Sequence, residues 1–529
     1  MKRLFFLMLV VYSYGVSAQL PNLKWLQSAH MDVRSMTTDA DDNLYVAGDL
    51  EGTCVMGNDT LVSKRIDVVI VKYDTAGNIL WYKQIGGIDL DNAVDIKLDK
   101  NNNVYLSFLF DFTTTIEGDS IPYVYEYGHR PIIIKYSTDG EFQWWKIPAY
   151  NNFGCFHPRM FRIDQADNLI IADDIYPMGN IGIVLYGDST VADTLGWYHI
   201  SKYNSDGVFQ WMRTYNNEIK QIVTDRSNNI LFIQKTDTNS VFDFKKLSPD
   251  GSLLWSRRIN IDVIGLDSYY ERWLPLLAVD RFKNIYLATH YDTVTLGSQT
   301  FFSRGGYDIL LIKYDSLGNF IWGKSMGGPY ADAPTSLFVV DDKILLTGSF
   351  RSRIYFSHDS IIGFGATSYF SKEGGFIVEY DLNAQNEFVK KIYAKRGCKA
   401  VLVTMGKSIY LYGSATDSTY FDDYLWEAVP PATGISYLAR FYNDPPLPEI
   451  PIENYLIYPN PTIGTIHFDF NSTYGNVNLQ IYNLQGALVK TYTLQNRRNS
   501  IDLSFLANGM YFVKIISDDG VKCAKFEKI

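Results

Sequence analysis

The chain has 529 residues, 48 Lys and Arg against 58 Asp and Glu for a formal net charge of −10, and 15% aromatic residues. This acidic balance speaks against a phosphate-binding surface, which needs a basic face, so no nucleic-acid partner is expected. The length suits two or three ordinary domains, or one large repeat ring that absorbs most of the chain.

Lys2 and Arg3 precede an apolar run over residues 4–11, too short for the ~20 residues that a membrane-spanning helix needs. Val16-Ser17-Ala18 has the small-residue spacing of a cleavage site. Residues 1–18 therefore read as a signal peptide cut between Ala18 and Gln19, and no transmembrane segment is expected in the mature chain. Asn22-Leu23-Lys24-Trp25-Leu26 follows as a strand with no hairpin partner nearby in sequence.

From there the chain repeats one pattern. In residues 70–87 an apolar strand, the turn Asp74-Thr75-Ala76-Gly77-Asn78, a strand with Trp81 and the pair Gly86-Gly87 follow one another. Gly77 can take positive φ and Asp74 can bond its own turn's amides, so this is a hairpin. The same order leads from Lys135-Tyr136 to Trp144, from Lys202-Tyr203 to Trp211, from Lys246-Leu247 to Trp255 and from Lys313-Tyr314 to Trp322. Glu379-Tyr380 leads to Phe388, and Arg440-Phe441-Tyr442 to nothing. An Asp-rich hairpin precedes each: Asp39 to Asn43, Asp99 to Asn103, Asp164 to Asn168, Asp225 to Asn229, Asp280 to Asn284, then Asp341-Asp342-Lys343 and Met405-Gly406-Lys407. Each unit is thus four strands, A to D, and seven such units are the sequence signature of a seven-bladed β-propeller. The last unit lacks its D strand, which the Trp25 segment can supply, removing an exposed edge by closing the ring. The expectation is an all-β propeller over residues 19–443.

Residues 444–451 form a proline-rich, extended linker. Residues 452–529 read as seven short strands, the pattern of a small immunoglobulin-like β-sandwich.

Two family resemblances follow from quoted residues. Gly86-Gly87, Asp91-Asn92-Ala93, Asp99, Asn103-Val104-Tyr105 and Gly327-Gly328 with Asp332-Ala333 resemble the bacterial propeller-repeat family, a likeness that bears on fold and not on activity. Tyr458-Pro459-Asn460-Pro461, Gly486 in Asn483-Leu484-Gln485-Gly486, and Asn508-Gly509-Met510-Tyr511 are similar to the type A C-terminal sorting domain of the type IX secretion system of Bacteroidota. That resemblance implies export by the signal peptide, passage of the outer membrane through the type IX machinery, and then surface attachment or release.

Chemistry-bearing patterns are sparse. The seven histidines are scattered, without zinc spacing, and no Gly-x-Ser-x-Gly turn occurs. Asp39-x-Asp41-x-Asn43 begins like a calcium loop but lacks the downstream glutamate, so turn chemistry explains it and no metal is expected. No cofactor is expected either. Cys54, Cys155, Cys398 and Cys523 form no CxxC pair and read as separate thiols. Asp-Ser/Thr-aliphatic triplets, such as Asp59-Thr60-Leu61 and Asp119-Ser120-Ile121, are similar to the O-glycosylation pattern of exported Bacteroidota proteins.

The B–C segments are long and uneven, and one face of a propeller usually carries function in such loops. Tyr123, Tyr125, Trp197, Tyr291, Tyr369 and Trp426 lie in or beside them as candidate ligand-stacking residues. Asp89, Asp91, Asp262, Asp267 and Asp332 fall in D–A connections, where an acid–base pair would have to stand, although solvated loop acids are the ordinary reading. The sequence thus points to an exported, monomeric, non-catalytic binding or scaffold protein for a polysaccharide or protein ligand, with a polysaccharide hydrolase or lyase and a structural adhesin as alternatives.

Overall fold

A computed structural model describes residues 22–111, 113–121, 130–148, 154–177, 183–186, 189–192, 198–236, 241–262, 275–340, 342–357, 360–362, 373–385, 388–394, 400–403, 408–414, 419–421, 424–426, 436–442, 455–458, 462–470, 477–483, 487–494, 498–517 and 520–528. Every named element among them is a β-strand, and no helix is long and apolar enough to cross a membrane. The chain divides into two compact units, residues 1–442 and 443–529.

In the first unit, consecutive strands pair antiparallel into sheets with the A–B–C–D order. Sheet 1 spans residues 32–87, sheet 2 91–146, sheet 3 154–215, sheet 4 219–262, sheet 5 276–326 and sheet 6 333–394. Sheet 7 takes its first three strands from residues 400–442 and its fourth from Asn22–Ser28. The Lys-to-Trp register is the same throughout: Lys72 stands opposite Trp81, Lys135 opposite Trp144, Lys202 opposite Trp211, Lys246 opposite Trp255 and Lys313 opposite Trp322. Glu379 faces Phe388, and Arg440 faces Trp25, so the N-terminal strand occupies the place of a D strand.

The repeated residues hold each sheet to the next. The Lys72 ammonium donates to the Thr138 carbonyl oxygen of the next sheet's C–D turn at 3.1 Å, and the Trp81 indole N–H to the same oxygen at 3.0 Å. Lys135 reaches Ser205, Lys202 and Trp211 reach Pro249, Lys246 reaches Ser316, and Lys313 reaches Leu382, each at the backbone oxygen. Between sheets 7 and 1 the same bond is made by Trp25 and Arg440 to the Thr75 oxygen, at 3.1 and 2.6 Å. Each lysine also lies beside the A–B turn aspartate of its own sheet, as Lys202 does to Asp164 at 2.9 Å. Burying these ammonium groups is tolerable because each gains a carboxylate and a carbonyl. First strands pack against first strands from sheet 1 to sheet 7, and Ser408–Ser414 of sheet 7 touches Asp32–Thr38, so the neighbour contacts return to their start.

Two turn chemistries repeat. In the A–B turns, the Asp39 carboxylate accepts from the Asp41 and Asn43 amides and the Asn43 side chain, as do Asp99, Asp164, Asp225 and Asp280 in their own turns. These aspartates are buried turn-formers, which accounts for the calcium-loop likeness. In the C–D turns of sheets 1 to 5 the left-handed position is glycine, Gly140 with a φ of 81°, whereas sheet 6 places Ala384 there with a φ of 56°. A β-carbon on Gly140 would also stand 3.1 Å from the Trp81 ring of the preceding sheet. Gly140→Ala should therefore cost about 1–2 kcal/mol in urea denaturation, whereas Asp139→Ala, in the same exposed turn, should cost less than about 0.5 kcal/mol.

The B–C segments differ from the loops expected. In sheet 1 there is hardly a loop: Leu44–Met56 and Asp59–Tyr73 continue as one long hairpin, because Cys54, Met56, Leu61 and Ser63 alternate inward. In sheets 2, 5 and 7 the segment folds into a two-stranded ribbon laid on the preceding sheet's D strand. Thr114–Ile116 pairs with Ile79–Gly87, Thr293–Leu296 with Leu253–Asp262, and Thr419–Phe421 with Phe388–Ala394. Glycine permits this approach: a β-carbon on Gly87 would stand 2.0 Å from the Thr113 oxygen, and one on Gly328 1.8 Å from the Arg353 oxygen.

The second unit has a three-stranded sheet, ordered Tyr455–Tyr458, Thr465–Phe470, Arg498–Asp502, and a four-stranded sheet, ordered Leu488–Leu494, Val477–Tyr482, Gly509–Ser517, Gly520–Lys528. Both contribute to one core, Ile466, Phe468 and Ile501 from the first and Leu479, Val513 and Phe526 from the second.

Candidate functional site

Tyr123, Tyr125, Trp197 and Tyr369 lie outside the described residues, as do Ala18, Gln19, Asp267, Pro459, Asn460, Pro461 and Gly486. Trp426 ends the outer ribbon strand Tyr424–Trp426. Tyr291 corrects the expectation. It is wholly buried, and its hydroxyl meets the Phe302 carbonyl oxygen at 3.1 Å and the Ser325 hydroxyl at 2.6 Å. It anchors the ribbon Thr293–Leu296 and Gln299–Phe302 and offers no face to a ligand. Its place at the end of Ile285–Tyr291, a strand buried at every position, is the reason.

The D–A acids depart from solvated loop residues in a patterned way. Asp91 and Asp332 are fully buried. Asp91 accepts from the Gly87 amide at 2.9 Å, while Asp332 accepts from Gly328 at 2.7 Å and Arg351 at 3.3 Å. Each has a partner carboxylate at the start of, or within, the preceding C strand, Asp67 and Asp308 respectively. A β-carbon on Gly86 would stand 2.3 Å from the Asp67 carboxyl carbon, and one on Gly327 2.0 Å from that of Asp308. The glycine pairs are therefore cradles: the first admits a carboxylate, and the second admits the ribbon. Burial pushes Asp91 up to about 7, with its Asp67 and Asp111 neighbours adding to the shift. Burial likewise raises Asp308 to about 6 and Asp332 well above the carboxylate range, the latter helped by Asp308. Asp89 is half-buried and paired with Arg65, and Asp262 lies within strand Leu253–Asp262.

A second polar group was not anticipated. The first strands of sheets 1 to 4 bring together Ser35, Asp95, Lys97, Arg162 and Gln221. Past a bulge in each strand, Ser35, Asp95 and Gln221 occupy one register row, and Lys97 and Arg162 the next. The Ser35 hydroxyl donates to Asp95 Oδ1 at 2.6 Å, and the Lys97 ammonium pairs with the same oxygen. Arg162 approaches Asp95 Oδ2 at 3.4 Å and donates to Gln221 Oε1 at 3.1 Å. Burial would raise Asp95, but the Lys97 and Arg162 charges outweigh it and hold the carboxyl below its ordinary value. Burial lowers both cations, and Arg162 lowers Lys97 further. A signal for this row existed: Lys97 and Arg162 each lie two residues before a turn aspartate, Asp99 and Asp164. Among the described residues no group of three or more His, Cys, Asp or Glu side chains is arranged to hold a metal ion.

In the second unit, the Tyr511 ring stacks on Phe526 with centroids 5.5 Å apart, and its hydroxyl donates to the Ala507 oxygen at 3.0 Å. Gly509 has a φ of 148°, a conformation that suits glycine.

Residues 456–528 match the family described as the secretion system C-terminal sorting domain. Over 452 residues the chain is 21% identical to an uncharacterized WD repeat-containing protein, L264, of Acanthamoeba polyphaga mimivirus; the match takes in 65% of this chain and 32% of that protein, so the chain spans about a third of that relative's length. Among solved structures, a protein of unknown function from Dyadobacter fermentans is similar with a TM-score of 0.34 and 11% identity, over 66% of this chain and 94% of that one. PorZ of Porphyromonas gingivalis, titled an essential bacterial surface component of the type IX secretion system, is similar with a TM-score of 0.21 and 10% identity, over 95% and 100% of the two chains.

Proposed function

Since this chain ends in a type IX secretion C-terminal sorting domain and is an exported protein, secreted or attached at the cell surface, we propose that its first unit is a seven-bladed β-propeller acting as a non-catalytic binding or scaffold module. In this reading the seven sheets are blades, Asn22–Ser28 closes the ring, and the second unit is an immunoglobulin-like sandwich addressed to the secretion machinery. The ligand, a polysaccharide or a protein, binds on the face carrying the B–C ribbons.

One observation favours binding over hydrolysis: the D–A acids whose side chains are described are engaged in the fold. Asp91 and Asp332 are buried on backbone amides and Asp89 is paired with Arg65, whereas a glycosidase needs two carboxyl groups open to one sugar, roughly 5 to 9.5 Å apart. The ribbons suit the role because pairing to the neighbouring sheet holds them as a fixed platform, which lowers the ordering cost of binding. The test incubates the exported protein with a panel of polysaccharides and glycoproteins and reads both retention and mass-spectrometric products. Retention with unaltered ligand is expected. New fragments would replace this reading with the hydrolase or lyase, and silence across the panel would favour the adhesin.

A further inference from the structure

The two first-strand rows of the described sheets carry Lys97 and Arg162 as their cations and Asp95 as their carboxylate, and the seventh-sheet members, Ala400 and Leu402, add no charge. The rows hold one positive charge in excess. We propose that this cluster is a binding site for an oxyanion, a carboxylate or sulfate group, held between Lys97 and Arg162.

Three observations carry the assignment. The first is the imbalance itself: a sheltered cation without a counter-charge is costly, and the cost is relieved by a bound anion. Asp95 serves two cations at once, with Ser35 donating to it as well. The second is the donor inventory. Lys97 directs two of its three N–H bonds at Asp95 and the Ile96 oxygen, and Arg162 directs three of its five at Asp95, the Phe161 oxygen and Gln221. Donors remain on both, and a guanidinium beside an ammonium is a recurrent arrangement for oxyanions. The third is access. The Lys97 and Arg162 side chains are 26% and 23% exposed, sheltered enough to strengthen a charged contact yet open to a ligand. On sheets 5 and 6 the same rows carry Leu276, Ala278 and Phe338, so no second carboxylate there competes with the ligand. The site lies on the first strands and is separate from the ribbon face proposed above.

The experiment measures the melting temperature of the exported protein against sodium sulfate and, separately, sodium glucuronate, with sodium chloride matching ionic strength throughout. The two arms distinguish a free inorganic ion from the acidic group of a sugar. A saturable rise beyond chloride is expected in at least one arm. Arg162→Gln should shift its half-saturation upward by on the order of tenfold or more, and Asp95→Asn, which leaves both cations without their carboxylate, downward by on the order of tenfold. A network that only braces the strands would lose stability in both variants with no anion-specific response. Equal responses to chloride, sulfate and glucuronate in the unaltered protein, or weaker anion response in Asp95→Asn, would overturn the proposal. Should Arg162→Gln fail to fold, the direction of the Asp95→Asn shift decides alone.

Discussion

Deleting Asn22–Ser28 is expected to abolish cooperative folding of the first unit, or to lower its melting temperature by more than about 10 °C, the largest single effect anticipated for this chain. The segment makes the full backbone ladder to Ser436–Tyr442, and without it that strand becomes an open edge. Two further links go with it, the indole bond of Trp25 and the Gln27 side-chain bond, both to the Thr75–Gly77 turn of sheet 1. Trp25 also packs on Tyr410 with ring centroids 5.9 Å apart, so Trp25→Ala alone should cost about 2–3 kcal/mol, somewhat below a fully buried tryptophan. The register offers a rescue that isolates the cause. Asn22 lies opposite Tyr442, so residues 22–28 placed after Tyr442 through a copy of the Asp74-Thr75-Ala76-Gly77-Asn78 turn would enter the same position from the other end. Calorimetry of the three proteins decides. A truncated chain that melts within about 2 °C of the parent would show that the strand is not a structural closure.

What was legible in the sequence is what repeats. Lys-to-Trp spacing, turn aspartates and turn glycines recur because every sheet solves the same contact with its neighbour, and the registers of Lys72, Lys135, Lys202, Lys246 and Lys313 follow from them. The sorting-domain strands were legible for another reason: alternation such as Val477, Leu479 and Ile481 facing inward is plain where one face is wet. The B–C segments were harder: Asp59 looks like a loop residue but opens a strand that extends the sheet 1 hairpin by inward alternation, and the Gly118 turn closes a ribbon that pairs with the neighbouring D strand. Tyr291 misled because its strand is buried on both faces, and a run without alternation does not mark where the strand ends. The Asp95 cluster left only one linear trace, the place of Lys97 and Arg162 two residues before a turn aspartate, because its members come from four repeats and meet only when the first strands are aligned on their bulges. Asp91 and Asp332 looked like loop acids, and the cue to their setting was the Gly-Gly pair upstream, whose missing side chains make room for the partner carboxylates Asp67 and Asp308 and for the ribbon backbone that packs against them.

Those acids lead to the second large effect, a loss of stability as pH rises. Asp91 is held up to about 7 and Asp308 up to about 6, burial being the first cause in both, against roughly 3.9 in an unfolded chain. The native state therefore keeps protons that the unfolded state has released. Their stabilising contribution is fully present below about pH 4 and is lost as pH climbs through the native values, a span worth about 4 kcal/mol for Asp91 alone. Carboxylates held below their ordinary value run the other way. Burial opposes ionisation of Asp225, but its Asn229, Lys246 and amide hydrogen bonds outweigh it, so its contribution is present above about pH 4 and fades in stronger acid. These raised carboxyls should thus weaken the first unit toward pH 8, while the buried His290, lowered to about 4, opposes the gain as pH falls below about 6.5. Asp91→Asn separates this cause from a general charge effect. The amide oxygen can still accept from Gly87 while the amino group turns to Asp67, so the variant should match the parent near pH 4 and exceed it by on the order of 2–4 kcal/mol at pH 8. Urea denaturation at pH 4, 6 and 8 reads the difference directly, and parallel profiles for parent and variant would mean that Asp91 does not carry its proton in the folded protein.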